Sequence, residues 1–189
     1  INANGSDGRA NTLLADDRSG GNVWDITTAL SGTINTDEIT FSGFQKLTAG
    51  NSGDTFNIDA SINTITGGSG NDVFDIGVAG LAFNIVNAIA ADSDTLKLDY
   101  SATNTWTING GTEEVVDTGT TNIQFSDIET INAGSGRDIF NVTAVFGGRI
   151  NAGAGDDSFD LDADVIDGVY GDAGTDIFDI GATIAGAVN

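Results

Sequence analysis

The nine residues Gly67-Gly68-Ser69-Gly70-Asn71-Asp72-Val73-Phe74-Asp75 constrain this chain more than any other stretch. A glycine-rich hexad leads into a short alternating segment, and the same arrangement recurs. Looser copies run from Ala133 to Asn141, from Ala152 to Asp160 and from Gly171 to Asp179, with a worn one from Ala49 to Asn57. A unit this short cannot bury its own apolar face, so copies must stack on one another. In Asp72-Val73-Phe74-Asp75-Ile76, Phe74 and Ile76 share one strand face, and Val73 and Asp75 share the other.

Spacing sets the period. Asp54 and Asp72 are 18 residues apart, and Asp138, Asp157 and Asp176 follow at intervals of 19. Asp94 marks a degenerate copy and Asn11 another, while the two longer gaps, Asn11 to Asp54 and Asp94 to Asp138, each have room for two coils and contain one Trp. The spacing predicts about nine coils of 18–22 residues in an all-β solenoid, with almost no helix, because no segment carries a long 3.6-residue apolar period. Inward pairs are expected at Phe56/Ile58, Phe74/Ile76, Leu96/Leu98, Phe140/Val142, Phe159/Leu161 and Phe178/Ile180, making one internal Phe ladder. Trp24 and Trp106 are expected as core or coil-edge packing, with a sugar-binding platform as the alternative.

A longer period overlies the first. The segment Phe41 to Gly50 aligns with Phe125 to Gly134 at an offset of 84, and Asn22-Val23-Trp24 aligns with Asn104-Thr105-Trp106 at an offset of 82. The chain divides into units of about 83 residues, 10–92 and 93–175, with four coils expected in each and a third unit beginning near 176. All of 1–189 reads as one solenoid segment. The terminal stretches Ile1 to Gly5 and Ala185 to Asn189 resemble ordinary coil sequence rather than caps. Without Met, the chain is expected to be a processed product or a piece of something longer.

Composition excludes several functions. The chain has 24 Asp and 4 Glu against 6 basic residues, for a formal charge of −22. Such a surface repels nucleic acid phosphates and anionic lipid. No run of 18 apolar residues is present, so membrane insertion is not expected. There is no Cys for a thiol nucleophile or zinc thiolate, and no His, the commonest general base. Adjacent acids such as Asp156-Asp157 would point to opposite faces of a strand and make a poor catalytic pair.

The glycine-Asp pattern resembles the repeats-in-toxin calcium-binding nonapeptides. That resemblance implies a right-handed parallel β-helix or β-roll with calcium between successive turns, held by Asp carboxylates and loop carbonyls. Calcium takes six to eight hard oxygen ligands, which such a loop supplies. The implied ligand carboxylates are Asp54, Asp72, Asp138, Asp157 and Asp176, in loops containing Gly68, Gly70, Gly134, Gly136, Gly153, Gly155 and Gly174. With one motif per coil, at most one edge of the roll would be loaded. The alternative is a metal-free ladder in which Asp caps backbone N–H groups. The longer unit is similar to tandem repeats of very large secreted bacterial surface and adhesin proteins. It implies an extracellular, non-enzymatic structural module whose partners are calcium and adjacent repeats or copies placed end to end. Alternatives are a carbohydrate- or surface-binding module, reading surface polysaccharide or an ice-like water lattice, and the calcium-binding tail of a secreted enzyme.

Overall fold

The structure is a computed structural model that describes residues 1–3, 10–36, 38–86, 92–110, 113–117 and 122–189, with backbone alone for 116 and 117. Asn4 and Gly5, part of the N-terminal stretch expected to be ordinary coil, lie outside the described residues. The described chain is all β, with no helix. The strands are β1 (Thr12–Leu14), β2 (Val23–Thr28), β3 (Ser31–Ile34), β4 (Ile39–Ser42), β5 (Lys46–Thr48), β6 (Thr55–Ile58), β7 (Thr64–Thr66), β8 (Val73–Ile76), β9 (Phe83–Val86), β10 (Thr95–Leu98), β11 (Asn104–Ile108), β12 (Glu113–Asp117), β13 (Ile123–Ser126), β14 (Thr130–Asn132), β15 (Asp138–Val142), β16 (Arg149–Asn151), β17 (Ser158–Leu161), β18 (Val169–Tyr170) and β19 (Ile177–Ile180). They are short because a glycine or Asp corner interrupts each after one or two inward side chains.

Two mostly parallel sheets result. One has ten strands in the order β1-β5-β7-β9-β13-β12-β11-β15-β17-β19, and the other has nine, β18-β16-β14-β10-β8-β6-β2-β3-β4. The chain alternates between them, so consecutive strands of one sheet come from successive passes. The two long gaps do not hold two coils each. In both, the Trp strand and the Phe strand belong to one antiparallel meander, β2-β3-β4 or β11-β12-β13. The segment between them folds back beside the strand it leaves instead of crossing to the other sheet.

This has a parity consequence. From β1 to its equivalent β10 the chain makes seven sheet visits: β1, the first meander, β5, β6, β7, β8 and β9. Seven is odd, so the second copy of the longer repeat begins in the opposite sheet. The two meanders therefore widen different sheets, and the strand numbers stay nearly equal, nine and ten.

The expected inward residues form the core, but in two ladders rather than one. Trp24 stacks on Phe56 at 5.5 Å and Phe56 on Phe74 at 5.2 Å in the nine-stranded sheet. Trp106 stacks on Phe140 at 5.6 Å, Phe140 on Phe159 at 4.9 Å and Phe159 on Phe178 at 4.5 Å in the other. Parallel in-register pairing puts equivalent side chains one strand spacing apart, which is an aromatic stacking distance. Phe41 and Phe125 meet the heads of the ladders edge-on, at 6.2 and 6.1 Å. Both indoles are fully enclosed, so neither offers a platform for a sugar. Each buried ring contributes roughly 1.5–3 kcal/mol.

The pair Phe178/Ile180 departs from expectation. Strand β19 pairs only with β17, which leaves Phe178 half-buried and Ile180 exposed. Truncation should register this difference. Phe140→Ala is expected to lose about 3–5 kcal/mol in urea denaturation, and Phe178→Ala less than half as much.

Candidate functional site

Eight segments share the spacing Asp/Asn-x-aromatic or Asp/Asn-x-Leu: Asn22, Asp54, Asp72 and Asp94 before strands of the nine-stranded sheet, and Asn104, Asp138, Asp157 and Asp176 before strands of the ten-stranded one. Each polar residue lies two positions before an inward apolar one and faces the same way. Asp54, Asp72, Asp94, Asp138 and Asp157 are consequently buried. They form two ladders. In the first, the backbone N–H of Asn22 donates to Asp54 Oδ1 (2.5 Å), that of Asp54 to Asp72 Oδ1 (2.7 Å), that of Asp72 to Asp94 Oδ1 (2.6 Å), and that of Asp94 to Glu129 Oε2 (2.9 Å). In the second, Asn104 Nδ2 donates to Asp138 Oδ1 (2.7 Å), the N–H of Asp138 to Asp157 Oδ1 (2.7 Å), and that of Asp157 to Asp176 Oδ1 (3.0 Å). The indole Nε1 of Trp106 also donates to Asp138, at 3.3 Å. Carboxylates are thus divided between the sheets, not gathered along one edge.

The second oxygens tell a different story. Oδ2 of Asp54, Asp72, Asp138 and Asp157 is buried without a hydrogen-bond partner. An orphaned buried carboxylate oxygen is costly, and each such atom calls for a proton, a water or a cation. Among the described residues no three acids gather in a metal-binding group. The acids succeed one another rung by rung, so a cation between rungs would draw its remaining oxygens from the loops.

Those loops are packed backbone to backbone. Gly68 has φ of 107°, and a Cβ there would lie 1.9 Å from the carbonyl oxygen of Gly50. Gly174 has φ of 148° with Gly155 O only 1.6 Å from the same position. Gly70, Gly134, Gly136, Gly153 and Gly155 likewise face the backbone of the preceding loop. The loop carbonyls already accept across rungs: Ser69 N–H donates to Gly50 O (3.1 Å), Ala154 N–H to Gly134 O (3.1 Å) and Ala173 N–H to Gly153 O (2.8 Å). A carbonyl has a second lone pair, which a cation could take.

Burial dominates the electrostatics. It pushes Asp72 up to about 7, with the charges of Asp94, Asp54 and Asp92 adding to the rise and the N–H of Asp54 opposing it. Asp138 is also pushed up to about 7 by burial, assisted by the charge of Asp157 and opposed by Asn104 and Trp106. Burial raises Asp54 and Asp157 as well; the N–H groups of Asn22 and Asp138 oppose it, and Arg137 moderates Asp157.

Sequence reasoning names five of the ladder acids as ligands and misses the ends. Asn22 and Asn104 head the two ladders as neutral versions of the Asp, and Asp94 and Glu129 extend the first. Their signal is the same spacing, Asn22-Val23-Trp24, Asn104-Thr105-Trp106, Asp94-Thr95-Leu96 and Glu129-Thr130-Ile131. A neutral counterpart of the last step occurs one repeat earlier, where the N–H of Asn11 donates to Gln45 Oε1 at 2.7 Å. No family model, no curated protein and no solved structure matches this chain.

Two outcomes follow from the ladder and its loops. An unfolded Asp ionises near 3.8, whereas folded Asp72 and Asp138 do so near 7. Their carboxyl groups therefore favour the fold fully below pH 3.8, and that stability is lost as pH rises through 7. Ionising each at pH 8 costs about 4 kcal/mol. In chelator, the melting temperature should fall from pH 5 to pH 8, and Asp72→Asn should flatten the fall while keeping an oxygen for the Asp54 N–H. In thermal melts, Gly68→Ala should be far more destabilising than Gly80→Ala. Gly80 also has positive φ, but nothing lies within 4 Å of its added Cβ, so the cost there is backbone strain of about 1–2 kcal/mol.

Proposed function

We propose that this chain is a non-enzymatic structural repeat module, a right-handed β-solenoid of an extracellular bacterial surface or adhesin-like protein, whose coils are held together by calcium at the Asp ladders. The observation that carries this reading is the set of orphaned, buried carboxylate oxygens at successive rungs. Hard, anionic and repeated with the fold, they suit calcium better than a softer metal. Asp54, Asp72, Asp138, Asp157 and Asp176 would hold it, with carbonyls of the glycine loops completing the shell. Bound calcium supplies positive charge where buried acids otherwise repel one another. The chain's own residues do the rest: the glycines let loops approach, the aromatic ladders fix the register, and the N–H groups aim the Oδ1 atoms.

Catalysis fits poorly with these acids, because the ladder carboxylates are enclosed and the chain has no His. A rigid rod suits the stalk or coat of a large surface protein. The half-buried Phe178 and exposed Ile177 and Ile180 are the kind of surface that a further coil, from this chain or another copy, would cover.

The test is a melt in chelator against millimolar calcium. Binding at about a hundred times Kd adds about 2.7 kcal/mol per site, so calcium should raise the melting temperature. Asp72→Asn and Asp138→Asn should each reduce the rise. Equal melting temperatures in calcium and in excess EGTA would remove calcium from the account and leave a purely hydrogen-bonded ladder.

A further inference from the structure

The outward face of the nine-stranded sheet carries one cross-strand row unlike its counterpart. Lys97, Asn132, Asn151 and Tyr170 lie opposite one another on β10, β14, β16 and β18. In the first repeat unit the same register holds Leu14, Thr48, Thr66 and Val86 on β1, β5, β7 and β9. Leu14 of the first row, and Lys97, Asn132 and Asn151 of the second, each border a groove at the corner where the chain leaves the sheet. The groove beside Lys97, Asn132 and Asn151 has a volume of about 350 Å³, and the one beside Leu14 about 560 Å³. The fold therefore makes a polar groove at both corners; Asp16, Asp17 and Asn51 line the first, and the second adds Lys97 and the Asn132 and Asn151 amides.

Those side chains are held in place before any ligand arrives. Lys97 Nζ donates to Asp75 Oδ2 (2.8 Å) and Asp99 Oδ2 (2.7 Å). Asn151 Nδ2 donates to Asn132 Oδ1 at 2.7 Å, which leaves the Asn132 amide nitrogen and the Asn151 carbonyl oxygen for other partners. The Arg149 guanidinium lies over the Tyr170 ring at 4.7 Å. Asp99 and Asp172 border the same groove and supply acceptors.

We propose that this groove binds a neutral oligosaccharide laid across the strands. A sugar hydroxyl both donates and accepts, and the groove offers amide donors beside amide and carboxylate acceptors at strand spacing. Its volume falls in the range of small-ligand pockets. The ligand is uncharged because Lys97 is already paired with two carboxylates and the chain carries a formal charge of −22, which repels sulfated or uronic polymers. This inference is independent of calcium.

The experiment is an NMR titration of the whole folded chain with cellotetraose, with heparin as the anionic arm. The side-chain amides of Asn132 and Asn151 should shift on adding the tetraose, and heparin should neither shift them nor compete. Asn132→Ala with Asn151→Ala should weaken binding about thirtyfold, the loss of two hydrogen bonds, while Thr48→Ala with Thr66→Ala leaves it unchanged. If the Asn variant does not fold, Asn151→Ser alone is read in the same titration and should also weaken binding. Amides that do not respond to the tetraose would overturn the proposal. So would equal losses from the Asn and Thr variants, or heparin binding at the same residues.

Discussion

Everything in this fold depends on one bond repeated from rung to rung: a backbone N–H donating to the carboxylate of the next Asp. The bond fixes which residues sit at equal height, and once Asp54 is level with Asp72, Phe56 is level with Phe74 and Ile58 with Ile76. The aromatic stacking follows from that register and reinforces it. A net hydrogen bond is worth only about 1 kcal/mol, so the ladder's main effect is to exclude slipped registers. The buried apolar rings supply most of the stability.

The same bond creates the structure's main electrical problem. Stacking acids inside a sheet buries like charges one strand spacing apart, and only one oxygen of each is satisfied by the backbone. The chain softens this by ending each ladder on a neutral Asn, Asn22 or Asn104, and by dividing the acids between two sheets. The division is a result of counting. An odd number of sheet visits per long repeat moves the second ladder to the opposite sheet, so neither column exceeds five members. The proposed calcium would act on what remains, the orphaned Oδ2 atoms.

Much of this was legible in the residues. Period-2 alternation after each glycine hexad marks the strands and the inward Phe positions. The meanders were not legible, because Trp24-Asp25-Ile26 and Phe41-Ser42 look like further coils when only spacing is counted, and no local signal marks their antiparallel return. The split of the Phe ladder was hidden for the same reason, since parity follows from topology and not from any local signal. The candidate ligands were found by motif, but their burial and their division between sheets required the strand order. The half-buried Lys97-Asn132-Asn151 row emerges only when distant segments are brought into register.

The most direct test of the ladder is amide hydrogen exchange at Asn22, Asp54, Asp72, Asp138 and Asp157. These N–H groups should exchange among the slowest in the chain, at rates set by global unfolding. Exchange as fast as that of the exposed loop amides would show that the rung-to-rung bonds are not what holds the sheets in register.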